Sequence, residues 1–523
     1  MMSTKANLDA QFPAPSPPPS PLSPGRWPGM SEESTLALRN LLKENHTKWH
    51  IFFNNLHYHN HTSHHLLALY YLGASPALLD AAYQNHVSYM RPARKSPEPI
   101  AAKNFHLHLG DENFYSGYVD FFSSVLSEKG AAATIEEYIF SPKVNIEAPM
   151  SGKPPMNMLN RFLSGVLHPL IHTGYGAEFG LLGMVAEGLA QAAVHAPGSP
   201  TLVSPSLFQR ASSVSFDVVN AAVDRLTELM PSLVLESAQR ALGVQHTQVK
   251  DGVHALTILS RILRDPAFSS TAIGLPVTDN SETPFQRVVR LRGEALVAHA
   301  EAWSVDGTST EEVASKIEEI IWMNTIVYGV CGWGGRKTSA NGKFKPDFFL
   351  LHSVTSAIFL HSLTAYLSPT SNSILLRTYF INCLAVWVSL GRPAPPLSAF
   401  FSSPDLPTAH PTEPGTHSDP TPGTLVREDM SPNPWLPILQ TTLMYPDDHL
   451  CKLQRALAHF AALYGTTPKG HFAALARGDA PLEGAEELDG TLFVRVAGLT
   501  ADALGWMREG QEQKGYDFGG FYE

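Results

Sequence analysis

Histidine places the tightest constraint on what this chain can fold into. It recurs at metal-ligand spacing in three segments that otherwise read as buried apolar helix: Asn60-His61-Thr62-Ser63-His64, His168-Pro169-Leu170-Ile171-His172, and Lys345-Pro346-Asp347-Phe348-Phe349-Leu350-Leu351-His352. An apolar helix has no packing need for imidazoles, because every buried ring nitrogen has to find a partner. The three segments lie far apart in sequence. One converging centre would satisfy all of them at once.

The remaining pattern is helical. Hydrophobic residues make up 44% of the 523 residues and charged residues only 16%, so much of the chain is interior. Apolar periodicity predicts helices beginning near Leu36 and running through His65–Leu72, after which Ser75-Pro76 opens the next helix as N-cap and first residue. Further helices are predicted near 114–128, 134–140, 157–167, 178–195, 216–230, 234–243, 253–263, 286–303, 310–328, 348–367 and 373–390. Period-2 strand runs are scarce and βαβ alternation is absent, which predicts an all-α fold of one large helical body. Residues 1–30, rich in Pro and Ser, read as a disordered arm ahead of a helical core at 31–392. Residues 393–434 read as a low-complexity surface insertion, and 435–523 as C-terminal helices packed on the core with a Gly-rich tail. The run 348–367 is long enough to raise a membrane span. His352, Ser353, Thr355, Ser356 and His361 within it, and Asp347 beside it, argue for a buried central helix instead.

Several function classes are disfavoured. A net charge of −11 with no basic run speaks against a nucleic-acid partner. Cys331, Cys383 and Cys451 are widely spaced and form neither a CxxC pair nor a disulfide framework, as expected in a reducing compartment. With no targeting signal, a cytoplasmic location is expected. The glycine-rich run Gly329–Gly335 is not GxGxxG and does not join a strand to a helix, so no FAD or nicotinamide Rossmann site is supported. No P-loop, GxSxG or HExxH is present.

On a helix, His168 and His172 share a face and can grip one metal. Pro169 intervenes, and a proline removes a donor and clashes with the carbonyl four residues back, here that of Gly165. A break between Gly165 and His168 is expected, with Pro169 starting a new helix and His172 one turn in. Two hydrogen-bonded core histidines would fit the pair equally well. His61 and His64 fall in the first turn of a helix capped by Asn60. His64, the deeper, is expected as a ligand, and His61 either as a ligand or as support for one; His57 and His59 read as solvated loop. Lys345 and His352 are seven residues, two helical turns, apart, so both side chains are expected on one face about 10 Å apart along the axis. A buried ammonium beside a dication is costly, so a ligating Lys345 has to be neutral or carbamylated, and a surface lysine paired with Asp347 explains the spacing as well. Such a nitrogen-rich set suits iron, manganese, copper or zinc. Glu178 and Asp347 are the acidic residues expected to fix imidazole tautomers. His106, His108, His195, His254 and His299 read as structural, and His361 as core or as a partner elsewhere.

Taken together, the blocks His61–Ser75, His168–Phe179 and Asp347–Ser356, with Gly332-Trp333 before the last, resemble the signature segments of the questin oxidase family over most of residues 40–390. The resemblance implies a flavin-independent, Baeyer–Villiger-type or ring-cleaving oxygenase of fungal polyketide metabolism, acting with O2 on a planar anthraquinone- or xanthone-like aromatic. It further implies NADPH as a co-substrate and non-haem Fe(II) held by His64, His168, His172 and His352, with Lys345 as a possible fifth ligand. His172, Glu178 and Asp347 are then the expected catalytic groups. His65 directly after His64 departs from the family pattern and leaves the ligand there open. Two other readings use the same residues: a metal-free oxygenase with the histidines as acid–base groups, and a non-catalytic helical binding protein with them in core hydrogen bonds.

Overall fold

The computed structural model describes residues 2–148, 154–209, 252–279, 281–335, 344–403, 421–425 and 433–522. The helices expected at 216–230 and 234–243 lie outside the described residues. Those described begin with α1 (Met2–Gln11), α2 (Glu32–Lys48), α3 (Thr62–Tyr71), α4 (Pro76–Val87) and α5 (Tyr115–Ile135). There follow α6 (Met158–Phe162), α7 (Ser164–Phe179), α8 (Leu182–Val194), α9 (Ala255–Arg264), α10 (Pro284–Ala300) and α11 (Thr310–Thr325). The last are α12 (Phe348–Ala357), α13 (Pro369–Ser389), α14 (Trp435–Met444), α15 (Asp448–Tyr464) and α16 (Leu492–Leu504). Among the described residues, β-structure is confined to isolated bridges, so the all-α expectation holds.

Local chemistry explains the boundaries. Ser31 caps α2 in a capping box, and Ser75 caps α4 with Pro76 in its first turn. The stretch expected as one helix over 178–195 is divided, because Gly180 takes a left-handed conformation (φ 67°) that ends α7 and lets α8 fold back. The stretch 348–367 is divided too: α12 stops at Ala357, and a short helix, Leu360–Thr364, follows. Ser356 Oγ donates back to the His352 carbonyl (2.6 Å), and Thr355 reaches the same oxygen, the kind of back-bonding that bends a helix. No helix among the described residues is long and apolar enough to cross a membrane.

One continuous core links nearly all of these elements. At its centre α7 lies on α8, which also carries α5, while α12 packs on both α7 and α15, and α3 on both α7 and α15. Four helices from distant parts of the chain thus surround one point.

The N-terminal segment corrects the expectation of a disordered arm. Phe12 is fully buried, and its ring occupies the space that a side chain at Gly183 would fill. Arg39 Nε donates to Phe12 O (2.9 Å), Ser16 N to Phe179 O (3.0 Å) and Trp27 N to Tyr71 O (3.0 Å). The segment begins with α1, and the Pro/Ser-rich stretch after it docks without regular structure because its few apolar anchors and several backbone groups find partners. Within 393–434, Leu397–Ser402 forms a short helix that buries Leu397 and Phe400.

His459 on α15 pairs its Nε2 with Leu22 O of this strap (3.1 Å), and His361 is buried nearby. Burial holds His361 at about 4 and His459 at about 3, against about 6.5 for a free imidazole. Their folded pKa values are depressed, so the neutral forms are shared with the unfolded chain above pH 6.5. Between pH 6.5 and 4 only the unfolded chain takes up the proton. Each such histidine is predicted to cost about 1.4 kcal/mol of stability per pH unit in that window. Denaturant melts from pH 7 to 4.5 check this: His459→Gln, which keeps a donor to Leu22, should flatten the slope by about one proton, and an unchanged slope would contradict it.

Candidate metal centre

The turn ahead of α7 is where the local sequence is most strained. Gly165, Val166 and Leu167 take φ values of 55°, 55° and 67° before the chain enters regular helix at His168 and Pro169. Left-handed backbone costs a non-glycine residue roughly 1–2 kcal/mol, and most for a β-branched one. The turn answers the proline clash with Gly165 and gives that freed carbonyl a partner, since His168 Nδ1 lies 2.5 Å from Gly165 O. A carbonyl only accepts, so the proton is on Nδ1 and the Nε2 lone pair is bare.

The same logic fixes two more rings. His352 Nδ1 donates to Phe348 O (2.7 Å), and its Nε2 is buried with no hydrogen-bond partner. His449, at the start of α15, places Nδ1 2.9 Å from Asp447 Oδ1, and its Nε2 is likewise unpartnered. A proton committed on Nδ1 to an oxygen, with Nε2 left free, is the tautomer that metal-binding histidines adopt. His61 completes the set: its Nε2 is 2.6 Å from His168 Nε2, and its Nδ1 is 3.6 Å from Asp448 Oδ1. Ring centroids close a circuit from His61 to His168 (4.8 Å), His352 (5.0 Å), His449 (5.2 Å) and back to His61 (4.8 Å). Two groups place three ligand atoms within 4.8 Å of one another, His59/His61/His168 and His61/Asp448/His449. Burial above all, then Lys452 and the neighbouring imidazoles, holds His61, His64, His168 and His352 well below the usual imidazole range. Neutral, inward-facing imidazoles are what a divalent cation requires.

The expected site residues divide on this geometry. His61, His168 and His352 are in the circuit. His64 is beside it, its Nε2 3.0 Å from His172 Nδ1 and its Nδ1 open. His172 has both nitrogens engaged, with Nε2 2.6 Å from Glu187 Oε2, so it steadies His64 rather than offering a lone pair. Burial would raise the Glu187 carboxyl, but hydrogen bonds from His172 and His46 hold it at about 2. Glu178 does not touch a histidine. It is paired with Arg455 inside a cage of aromatic rings. Asp347 caps α12, accepting from Phe349 and Leu350 N (both 2.9 Å). The carboxylates at the imidazoles are instead Glu187, Asp447 and Asp448. Lys345 also requires correction. It precedes the cap of α12 in extended chain, with its N–H on Gly332 O (2.8 Å), so the two-turn helical relation to His352 does not exist. The lysine beside the histidines is Lys452, buried, with Nζ 2.6 Å from Asp448 Oδ2.

Three participants escaped sequence reasoning. His59, read as loop, stacks on His168 at 3.9 Å and bonds His195 (2.7 Å), itself read as isolated. His449 sits in Asp447-Asp448-His449. The usable signal was on α15, where Asp448, Lys452, Arg455 and His459 follow helical spacing within an otherwise apolar helix, and all are buried. His299 pairs with Asp265, His108 with Glu98, and His254 caps α9, apart from the cluster.

A cleft of about 480 Å³ opens onto His61, Asp448 and His449. Phe53, Tyr58, Tyr89 and Phe348 give it aromatic walls, and Asn85, His86 and Gln513 add polar groups.

The sequence matches the family described as questin oxidase-like over residues 58–457. The chain belongs to this family. The matched span takes in α3, α7, α12 and the first part of α15. Similar proteins include a Baeyer–Villiger monooxygenase, AacuH, of Aspergillus aculeatus (28% identical over 64% of this chain and 63% of that protein). Others are the oxidoreductase AflY of Aspergillus parasiticus (26% over 83% and 76%) and the questin oxidase of Aspergillus terreus (32% over 30% and 35%). The chain thus spans less than two thirds of the length of the first and the last of these relatives.

The reassignment of the carboxylates is testable. Arg455→Met leaves Glu178 buried without its cation and should cost about 3–5 kcal/mol of stability, most of it recovered in Arg455→Met/Glu178→Gln. Glu187→Gln should instead loosen metal binding by less than the roughly 10-fold expected for a direct partner of a ligand, because it acts through His172 on His64, which stands beside the circuit. Melts and metal titrations of the three variants separate the two roles, and equal metal affinity in Glu187→Gln and wild type would refute the second.

Proposed function

We propose that this chain is an oxygenase that holds ferrous iron at His61, His168, His352 and His449, with Asp448 as an oxygen donor and His64 in reserve. The observation that carries the reading is the circuit of four buried imidazoles, three with Nδ1 committed to oxygen acceptors, opening onto an aromatic cleft. Within the circuit, His352 and His449 leave Nε2 without a hydrogen-bond partner and face one another's rings, whereas His172 beside it has both nitrogens engaged. Iron, when bound, would supply O2 binding and electron transfer.

The chain's own residues do the rest. Phe53, Tyr58, Tyr89 and Phe348 offer flat apolar faces suited to a planar aromatic, and the cleft volume suits a fused-ring system of the anthraquinone or xanthone type. Asn85, Gln513 and the Asp447–His449 segment can orient its oxygen substituents. The names of the relatives, monooxygenase and questin oxidase, agree with oxygen insertion beside an aryl ketone or cleavage of the quinone ring. A monooxygenase reaction reduces the second oxygen atom to water and needs two electrons, which NADPH would provide as a co-substrate without a Rossmann domain. A dioxygenase reaction needs none.

The test is elemental analysis of protein reconstituted anaerobically with ferrous iron, followed by oxygen-electrode measurements with a hydroxyanthraquinone, with and without NADPH. Near-stoichiometric iron, lost in His61→Ala/His168→Ala, and oxygen uptake dependent on both metal and quinone are the expected results. The NADPH-to-O2 ratio then assigns the class of reaction. Oxygen uptake at full rate in metal-free protein would sink the iron reading and favour histidine acid–base chemistry; no uptake under any condition would leave a binding protein.

A further inference from the structure

Outside the four-histidine circuit, a second chain of hydrogen bonds runs from the core to the cleft wall. His65 on α3 places Nδ1 3.0 Å from Nε2 of His86 on α4, and His86 Nδ1 lies 2.6 Å from the Tyr89 hydroxyl. His65 and His86 are buried, whereas Tyr89 is 44% exposed, and both Tyr89 and His86 line the cleft. The far nitrogen, His65 Nε2, is buried with no hydrogen-bond partner.

That unpartnered nitrogen sets the direction of the whole chain. Each ring, neutral when buried, carries one N–H. If His65 held its proton on Nε2, an N–H donor would be orphaned in the core, and orphaned buried donors are rarer than under-satisfied acceptors. The proton therefore sits on His65 Nδ1 and is donated to His86 Nε2. His86 must then carry its own proton on Nδ1, which it donates to the Tyr89 oxygen. With that lone pair occupied, the Tyr89 hydroxyl hydrogen is turned away from His86 and is free to point into the cleft. The opposite direction would turn Tyr89 into an acceptor toward the ligand. The T-shaped contact between Phe53 and Tyr89 (5.1 Å) steadies the phenol ring on its other side.

We propose that Tyr89 is a positioning residue for the cleft's ligand, a hydrogen-bond donor fixed by the His65–His86 relay and matched to a carbonyl or phenolate oxygen on a planar aromatic. It deepens the proposed function and rests on that reading of the cleft. One oxygen substituent is thereby held by Tyr89, just after α4, without drawing on the metal centre. A donor held in place in advance gains most when the oxygen it faces becomes more negative, as a ketone oxygen does when its carbon is attacked.

The test uses 1,8-dihydroxyanthraquinone as probe with the full chain, loaded with iron. In wild type, the carbonyl stretch of the bound probe should shift to lower frequency than in solution. Tyr89→Phe should abolish that extra shift and weaken binding about five-fold, with iron content unchanged. In protein labelled with [15N]histidine, the His86 signals, assigned by their loss in His86→Gln, should place its proton on Nδ1. Bound probe with the same carbonyl band in wild type and Tyr89→Phe overturns the proposal while leaving the cleft as the binding site. A His86 proton on Nε2 reverses the relay and overturns it as well. Failure of the wild type to bind the probe would remove both this proposal and the aromatic-ligand reading beneath it, so the two failures are distinguishable.

Discussion

The fold depends on where the imidazole protons are held. A neutral histidine has one N–H, and at His168, His352 and His449 that proton is committed outward, to a backbone carbonyl or to Asp447. Three lone pairs are left in a space with almost no water access, and His61 brings a fourth nitrogen within 2.6 Å of one of them. A proton on His61 Nε2 makes that contact a hydrogen bond, which leaves the Nε2 atoms of His352 and His449 unmet, each costing on the order of 1–3 kcal/mol in a dry interior. No apolar packing gain explains bearing that cost twice in one place. A cation shared among the lone pairs removes it at both rings.

Much of the architecture serves to hold those protons still. The left-handed turn at Gly165–Leu167 is unfavourable by itself, yet it presents the carbonyl that orients His168. The interruption of α12 coincides with Ser356 bonding back to His352 O, while the imidazole of His352 is aimed one turn earlier by Phe348 O. Glu187 spans His172 and His46 and through them ties His64 to α2 and α8. The N-terminal strap lies over α7 and α8 from the other side, with Phe12 against His46 and Arg26 over the ring of Phe179. Each support comes from a different stretch of chain, which is why the centre cannot form before the tertiary fold does.

The helical class and the convergence of three histidine segments were legible in the sequence because both are periodic signals. Spacing marked His61, His64, His168, His172 and His352 as candidates with His64 preferred to His61, the resemblance supplied the ligand set, and the break before Pro169 followed from sterics. What could not be read was anything decided by a contact between distant segments. Glu178 looked like a partner for the histidines until Arg455, 277 residues away, took it. His172 looked like a ligand because nothing local discloses that Glu187 claims its second nitrogen. Lys345 was placed by assuming that α12 began early, whereas Asp347 is its cap. His449 went unread because α15 was judged by its apolar residues. Its polar ones, Asp448, Lys452 and Arg455, recur with helical spacing and are buried, a more telling anomaly than the histidine tract at 57–65. The N-terminal strap misled for the opposite reason, since composition reports the absence of secondary structure and says nothing about docking.

Charge balance then limits what the cleft can accept. The buried Asp448 carboxylate is already paired with the Lys452 ammonium, so this pair contributes no net charge to the centre. Asp447, on His449 Nδ1, adds one further negative charge, so a dication at these imidazoles would leave one positive charge where burial penalises it. A neutral ligand does not relieve this. A ligand that ionises on binding does, and hydroxylated aromatic ketones have acidic phenols close to a carbonyl. The aromatic walls would then supply most of the affinity, while a phenolate turned toward the cation, away from the Asp447 and Asp448 carboxylates, would offset the excess charge. A donor elsewhere in the cleft lining, at Tyr89, suits the remaining oxygen of such a molecule. The acid–base character of the ligand, as much as its shape, would thus be selected by the balance among Asp447, Asp448, Lys452 and a bound dication.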